Sequence, residues 1–381
     1  MLKSFSLLYK QILKPRHCIV PVISHLHSTG VMANKFDLPA RYHGSEKSVW
    51  VEYIQLALEY KPLNLGQGFP DYPPPDYVTN GLAEVTTGEN GHPRLVNAIS
   101  KLYSKLLNRD INPNTEVLVT AGAYEALFST ILGHTSPGDE VIIIEPFFDC
   151  YVPMVKAGGG IPRFIPLRLN KTGGKIMSSD WVLDPSELTS LFNSKTKAII
   201  LNTPNNPVGK VFTQQELELI ADLCKKWNVL CIADEVYEWL VYKPYKHIRI
   251  GSHIAWYVGE NHYYWVSRKN LQCDRMEDWL GLWSCKPDEK SSNSSSELCI
   301  YLLHTITESR CNLAEETDEN KDYRFTKWMS KNVKLQGIPP SAFYSQGNKK
   351  LAENYVRYCF IKKDENLQQA ADILKAWKNS K

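Results

Sequence analysis

The sequence predicts an α/β fold in which helices cover both faces of a mostly parallel β-sheet. Short apolar runs rich in β-forming residues alternate with helical periodicities between residues 116 and 236. Near-continuous apolar strands are typical of parallel sheets, because both faces of such a sheet are buried. The predicted strands are Glu116–Thr120, Glu140–Glu145, Arg163–Leu167, Lys197–Leu201 and Val229–Ala233.

The helices between these strands have recognisable starts. The clearest helix spans Gln214–Trp227 and places four apolar residues on one face, namely Leu217, Ile220, Cys224 and Trp227. Thr213 and Glu216 fit a capping box, in which each side chain bonds the other's free backbone N–H group. Asp184 followed by Pro185 is a second start signal, an N-cap carboxylate with proline at the first helical position.

The residues on either side of this region predict a second, smaller domain. A helical pattern occupies Ser48–Leu58, and three later segments fit pieces of an α+β domain: Phe325–Trp328, Gly337–Ala342 and Asn354–Ile361. We therefore expect an N-terminal arm with part of the small domain at 33–75, a large domain at 76–250 and the rest of the small domain at 313–381.

Composition excludes several classes of function. The chain has 381 residues, 43% of them hydrophobic, and a formal net charge of +3. A net charge this small does not indicate a basic surface that binds nucleic acid. The nine cysteines show no metal-binding or disulfide pattern, which indicates reduced thiols. No apolar run reaches the ~18 residues that a membrane-spanning helix needs.

Residues 1–31 have the composition of a mitochondrial transit peptide. They carry Lys3, Lys10, Lys14 and Arg16, contain no acidic residue, and place apolar residues at helical spacing. Such basic, acid-free, amphipathic segments are typical of transit peptides. The alternative is a disordered basic tail. Met32 follows directly, so a start there would give a cytosolic form.

Polar and aromatic residues follow four of the predicted strands. Ligands of parallel sheets bind at the carboxyl ends of the strands, so these loops are the candidate site. The turn 120–124 leads into a helix whose N-terminus favours an anion. The run 145–151 is aromatic, although a core aromatic pair is the alternative. The loop 202–209 is stiffened by prolines. The run 234–237 brings a carboxylate, which needs a cation or a hydrogen-bond donor when buried.

These loops resemble sequence motifs of a known protein family. The loop Asn-Thr-Pro-Asn-Asn-Pro-x-Gly at 202–209, followed by Asp-Glu-Val-Tyr at 234–237, resembles the signature of class I and II aminotransferases. The runs Asn-Leu-Gly-Gln-Gly-Phe-Pro-Asp, Glu-Pro-Phe-Phe-Asp-Cys-Tyr and Val-Arg-Tyr-Cys-Phe are similar to those of the kynurenine–oxoglutarate transaminases, which are also cysteine-S-conjugate β-lyases. The resemblance covers about 33–250 and 318–380. It implies the fold-type I architecture, although an incomplete one, and the cofactor pyridoxal 5′-phosphate.

The resemblance also assigns cofactor contacts. Gly122, Ala123 and Tyr124 would surround the phosphate. Phe148 would stack on the pyridine ring. Asn206 and Tyr237 would bond the ring hydroxyl oxygen. Asp234, supported by Asn202, would pair with the protonated ring nitrogen and keep the cofactor an electron sink.

The substrates implied are an amino acid and a 2-oxo acid. Arg357 would bind the substrate carboxylate with its planar fork, for which lysine is no substitute. Trp50, Gly68 and Asn206 would line the substrate pocket. Members of this family are homodimers, so we expect the same of this chain.

The departure from the family lies at 251–312. The family's catalytic lysine stands in a Ser-x-x-Lys run after the aspartate, where it holds the cofactor and moves the substrate proton. No such run follows Asp234. The nearest candidate in this frame is Lys269, with a solvated surface lysine as the alternative. The segment is also rich in tryptophan and cysteine and lacks periodicity, so we expect it to be poorly structured.

A shift in reading frame accounts for this segment. Reading the possible codons of Trp265 through Leu280 one nucleotide later allows G-S-A-G-K-T-F-S-A-T-G-W-K-x-G, in which the first Gly, the Trp and the last Gly are forced. This is the missing lysine run. Three hypotheses remain open. The first is transamination of kynurenine, with carbon–sulfur β-elimination as a side activity. The second is a catalytically inactive, unstable isoform produced by a frameshift, mis-splicing or an error in the assigned frame, and the third is a cofactor-binding module without enzymatic activity.

Overall fold

The computed structural model describes 48–69, 71–72, 92–120, 122–170, 177–253, 263–266, 301–305, 313, 316–318 and 320–379, with the backbone alone at 92–94, 252–253, 263–266 and 301–305. The expected transit peptide, Met32 and Lys269 lie outside these residues. Within them, no helix is long and apolar enough to cross a membrane.

The described strands are β1 (Leu63–Asn64), β2 (Glu140–Glu145), β3 (Ile161–Pro166), β4 (Arg168–Leu169), β5 (Trp181–Val182), β6 (Thr196–Asn202), β7 (Leu230–Asp234), β8 (Tyr263–Val266), β9 (Tyr301–Thr305), β10 (Leu335–Gln336) and β11 (Tyr355–Cys359). The α-helices are α1 (Val49–Tyr60), α2 (His92–Leu106), α3 (Ala123–His134), α4 (Tyr151–Ala157), α5 (Pro185–Leu191), α6 (Gln214–Trp227), α7 (Ile250–His253), α8 (Lys321–Trp328) and α9 (Asp364–Asn379).

The central sheet is parallel and has the strand order β3-β2-β6-β7-β8. Alternate residues of each strand face opposite sides, so Ile142 and Ile144 pack with α5 and α6, whereas Val141 and Ile143 pack with α3 and α4. Both faces of the sheet are therefore covered, and the predicted fold class is confirmed.

The helix starts are also confirmed. Thr213 and Glu216 form the predicted capping box before α6, and the Asp184 side chain accepts the Glu187 N–H at 2.8 Å. Of the predicted apolar face of α6, Leu217, Ile220 and Cys224 are buried. Trp227 is 39% exposed, so its place in the core was predicted wrongly. It lies in the last turn of α6, where its ring instead contacts the Lys226 ammonium group.

One further expectation is wrong. Residues 116–120 form no strand in the described structure, and Leu118 is 76% exposed. A β-forming sequence becomes a strand only where a neighbouring strand pairs with it. Within 251–312 the structure describes two strands, β8 and β9, and the expectation that the segment as a whole is poorly structured stays a prediction. The aromatic and β-branched run of β8 pairs with β7, and β9 pairs antiparallel with β11. The part from 267 to 300 lies outside the described residues.

The smaller domain has its own core. Leu65, Phe325, Leu335, Val356 and Tyr358 are buried together, with α9 packed against them. β1 and β10 pair in parallel, so the segment that follows α1 joins this domain. The structure thus brings the loop after β1 next to β11, where Leu65 O accepts the Cys359 N–H.

Asp322 gives the smaller domain a pH-dependent stability. Its carboxylate is fully buried and accepts from Ser341 N, Ser341 Oγ and Tyr323 N at 2.8–3.0 Å. Burial outweighs these bonds and raises the pKa of Asp322 to about 6. The folded chain therefore binds this proton more tightly than the unfolded chain, whose aspartates have a pKa of about 4. This carboxylate thus lowers stability at pH 7, and that cost disappears as the pH falls through 6 towards 4.

We expect Asp322→Asn to reveal this cost. The variant should have a higher free energy of unfolding than the natural chain. This difference between the two proteins should be larger at pH 7 than at pH 5, by on the order of 1–3 kcal/mol. Urea denaturation at the two pH values measures the difference. Parallel pH profiles for the two proteins would show that Asp322 titrates normally in the folded state.

Candidate active site

The predicted site residues meet at the carboxyl ends of β2, β6 and β7. Asn202 and Asp234 are register partners at the last position of β6 and β7, and they are 5% and 4% exposed. Phe148 follows β2 in the same sheet. Because parallel strands end at one edge, residues far apart in sequence converge there, as the sequence predicted.

Asp234 is a buried carboxylate whose contacts define the floor of the site. Its Oδ2 accepts from the Tyr151 hydroxyl at 2.5 Å, and its Oδ1 accepts from Val236 N at 3.3 Å. An ionised carboxylate out of water is costly unless cations or donors meet it. A protonated pyridine nitrogen supplies both a charge and a donor, so this group fits the carboxylate.

The loop after β6 is held rigid by its own amides. Asn202 Nδ2 donates to the Asp234 carbonyl at 2.9 Å, and Asn202 Oδ1 accepts Asn206 N at 2.7 Å. Asn205 Nδ2 donates to Pro146 O at 3.1 Å, which ties the loop to the end of β2. Asn206 is 6% exposed and its side chain points towards the smaller domain, where it meets Arg357.

A candidate anion site lies at the start of α3. Gly122 caps the helix with φ 91° and ψ 166°, a conformation that essentially only glycine adopts, and no side chain caps this end. Gly122 is buried, Ala123 is half-buried and Tyr124 is 49% exposed. The first-turn backbone N–H groups and the dipole of a 12-residue helix favour a phosphate here.

Two aromatic residues of the predicted cofactor set follow the ends of β2 and β7. Phe148 is half-buried and meets Tyr151 edge-on, with ring centroids 6.1 Å apart. Tyr237 is 6% exposed and packs with Leu240 and Ile361. Thus each residue of the predicted cofactor set lies at this sheet edge or at the start of α3.

Arg357 lies at the boundary with the smaller domain and is completely buried. Its two terminal nitrogens donate to Asn206 Oδ1 at 3.2 Å and to Gly66 O at 2.9 Å. The guanidinium carbon lies 5.5 Å from the Trp50 ring centroid and 5.0 Å from that of Phe343. A guanidinium held by two aromatic rings is oriented as well as charged, which suits the binding of a carboxylate.

Trp50 is fixed by a contact that the sequence did not predict. Its indole N–H donates to Asp149 Oδ2 at 2.7 Å, from the first turn of α1 to the loop after β2. Burial raises the pKa of Asp149, whereas the Trp50 bond and the charge of Arg357 lower it. Gly68, expected near the substrate, is half-buried in the loop that supplies the Gly66 carbonyl.

We expect Trp50→Phe to destabilise the chain by about 1–3 kcal/mol, because the partly buried Asp149 carboxylate loses its indole donor. Chemical denaturation measures this change. Adding Asp149→Asn to the variant should recover part of the loss, since a neutral amide is cheaper to bury. Trp227→Phe, at a half-exposed position, is the matched control. Equal losses for both tryptophan variants would argue against the Asp149 contact.

The sequence analysis did not predict four groups of the site: the side chains of Tyr151, Asp149 and Phe343, and the Gly66 carbonyl. Tyr151 and Asp149 stand within the aromatic run after β2, so their neighbourhood was visible but not their partners. Gly66 stands in the loop that includes Gly68. Phe343 gave no signal. It is placed by the Phe147 N–H, which donates to Phe343 O at 2.9 Å.

The architecture is that of the fold-type I, pyridoxal-phosphate-dependent aminotransferases, and comparisons with known proteins agree. The family model for aminotransferase class I and II matches residues 61–266. Kynurenine–oxoglutarate transaminase 3 of Rattus norvegicus is 39% identical over 93% of this chain and 94% of that protein. The Homo sapiens protein of the same name is 40% identical over 91% of each.

Solved structures show the same relationship. The structure of Bna3p from Saccharomyces cerevisiae superposes with a TM-score of 0.77, at 26% identity over 92% of this chain and all of that one. An aspartate aminotransferase from Thermotoga maritima shares the fold at a TM-score of 0.69 and 22% identity, over 90% of this chain and all of that one. The chain therefore belongs to the class I and II aminotransferases.

The family match ends at Val266, the register partner of Asp234 on β8. That residue adjoins Trp265, the first residue of the run whose codons allow the lysine motif when they are read one nucleotide later. Residues 267–300, which include Lys269, lie outside the described residues.

Proposed function

We propose that this site transaminates kynurenine and other aromatic or sulfur-containing amino acids with a 2-oxo acid. The relatives' names support kynurenine as a substrate. The observation that carries the proposal is the buried Arg357 fork between Trp50 and Phe343, next to Asn206. A carboxylate would bind the arginine, and an aromatic side chain would find the two rings beside it.

The described residues fit pyridoxal 5′-phosphate, which supplies an electron sink for the bonds at the substrate α-carbon when it is bound. Asp234 would hold the ring nitrogen, Asn206 and Tyr237 the ring hydroxyl oxygen, and Phe148 one face of the ring. Gly122, Ala123 and Tyr124 would hold the phosphate, and Asn202 would fix Asp234 through the backbone. We further propose a homodimer, a mitochondrial protein, and carbon–sulfur β-elimination from cysteine conjugates as a side reaction of the same site.

A second function, binding without turnover, is favoured by one observation. No Ser-x-x-Lys run follows Asp234, and the group that would move the substrate proton is therefore not assigned. In this case the chain would bind the cofactor and carboxylates at the same site but would not transfer the amino group.

Kynurenic acid formation tests the two functions. The purified chain is incubated with pyridoxal phosphate, kynurenine and a 2-oxo acid, beside Arg357→Ala and Lys269→Ala. Product from the natural chain alone supports transamination with Lys269 as the amine, because both variants remove required groups. Product at the same low level in all three proteins would refute catalysis by this site and leave the binding function.

A further inference from the structure

Tyr151 occupies a position that the proposed function does not use. It is the first residue of α4 and is 1% exposed, on the sheet face that packs against α3 and α4. Its N–H donates to Phe148 O at 3.2 Å, so its backbone is fixed to the aromatic loop. From there its hydroxyl reaches Asp234 Oδ2 at 2.5 Å. The Tyr151 side chain is thus buried in the core and contacts the Asp234 carboxylate from there.

The hydroxyl must be the donor in this contact. Burial, and next the negative charge of Asp234, raise the pKa of Tyr151 well above its ordinary value, so the tyrosine keeps its proton. A hydrogen bond to an ionised acceptor is shorter and stronger than a neutral one. The bond to Val236 N is longer, at 3.3 Å, and the Asn202 amide bonds the Asp234 backbone rather than its carboxylate.

We infer that Tyr151 is a positioning residue for the cofactor ring: its hydrogen bond orients the Asp234 carboxylate, so that Asp234 pairs with a pyridine nitrogen that Tyr151 itself does not touch. This inference rests on the proposed function, because it assumes that a pyridine cofactor binds above Asp234. A tyrosine that only filled the core would contribute to stability but not to discrimination at the ring nitrogen.

A pair of ligands separates these two roles. Pyridoxamine 5′-phosphate needs no lysine for binding, and its 1-deaza analogue replaces the ring nitrogen with carbon but keeps the phosphate, the hydroxyl and the shape. Tyr151→Phe should weaken the binding of pyridoxamine phosphate about 10-fold, the size expected for one hydrogen bond to a charged group. The affinity for the deaza analogue should change less than about 2-fold, because it offers Asp234 no ring N–H.

Two further variants complete the experiment. Tyr358→Phe, at a buried tyrosine in the core of the smaller domain, is the matched control and should change neither affinity. Tyr151→His restores a donor and should recover part of the preference for the nitrogen-containing ligand. Should Tyr151→Phe not fold, the preference of Tyr151→His for pyridoxamine phosphate over the analogue decides the question.

The outcomes also separate this inference from the proposed function. Equal losses for both ligands, or no loss for either, would overturn the role of Tyr151 alone. Failure of the natural chain to bind pyridoxamine phosphate at all would instead overturn the proposed cofactor site, and the inference with it.

Discussion

Asp234→Asn should weaken the binding of pyridoxamine phosphate by at least about 30-fold. The variant keeps the size and an acceptor for Tyr151, but it removes the charge that pairs with a protonated ring nitrogen. Loss of one partner from a buried, hydrogen-bonded charge pair costs roughly 2–5 kcal/mol, and each 1.4 kcal/mol is about tenfold in affinity. Fluorescence titration of the purified natural chain and of the variant with pyridoxamine phosphate gives the two dissociation constants to compare.

The same variant should not lose stability in the absence of cofactor. Asp234 is 4% exposed, and replacing a buried carboxylate with a neutral amide removes a desolvation cost. We therefore expect its melting temperature without ligand to equal or exceed that of the natural chain. Asp184→Asn, which exchanges one good N-cap residue for another before α5, is the control. Unchanged cofactor affinity in Asp234→Asn would place the cofactor elsewhere.

Arg357→Ala should nearly abolish carboxylate binding. The guanidinium is fully buried and fixed by Asn206, Gly66 and two aromatic rings, so little reorganisation opposes its bidentate contact with a carboxylate. Calorimetric titration of 3-phenylpropionate, an aromatic carboxylate that cannot react, into protein loaded with pyridoxamine phosphate measures this step. We expect a loss of about 30-fold or more.

Arg357→Lys sharpens this prediction. Lysine keeps the charge but has neither the planar fork nor the stacking surface, so most of the loss should remain. Arg168→Lys is the matched control, since Arg168 is a half-exposed arginine paired with Glu187. Full recovery of binding by Arg357→Lys would mean that charge alone, rather than the oriented fork, recognises the carboxylate.

The sheet was predictable because its strands are unusually apolar. In β2 all six residues are buried, and such a run has few alternatives to a central parallel strand. The run 116–120 has similar β-forming residues but forms no strand in the described structure, because pairing depends on a neighbour that the local sequence does not specify. The strand at Tyr263–Val266 is the opposite case. Its segment shows no periodicity, but these residues form a strand because they pair with β7.

The site was predictable where one loop carries several functional groups. Asn202 and Asp234 occupy strand ends and Asn206 lies in the loop after β6, so their convergence follows from the parallel sheet. The contact between Trp50 and Asp149 does not, because it joins α1 to a loop about a hundred residues later and depends on how the two domains pack. Phe343 is a similar case, placed beside Arg357 by a backbone bond to Phe147.

The proposed pairing of Asp234 with the cofactor ring nitrogen is the contact on which the other assignments depend, and nitrogen NMR measures it directly. Pyridoxamine phosphate labelled with ¹⁵N in the ring is bound to the chain and followed over a range of pH. We predict the chemical shift of a protonated nitrogen that persists above the pKa of the free cofactor and is lost in Asp234→Asn. A ring nitrogen that titrates as it does in free solution, or that ignores the Asp234 substitution, would contradict this account.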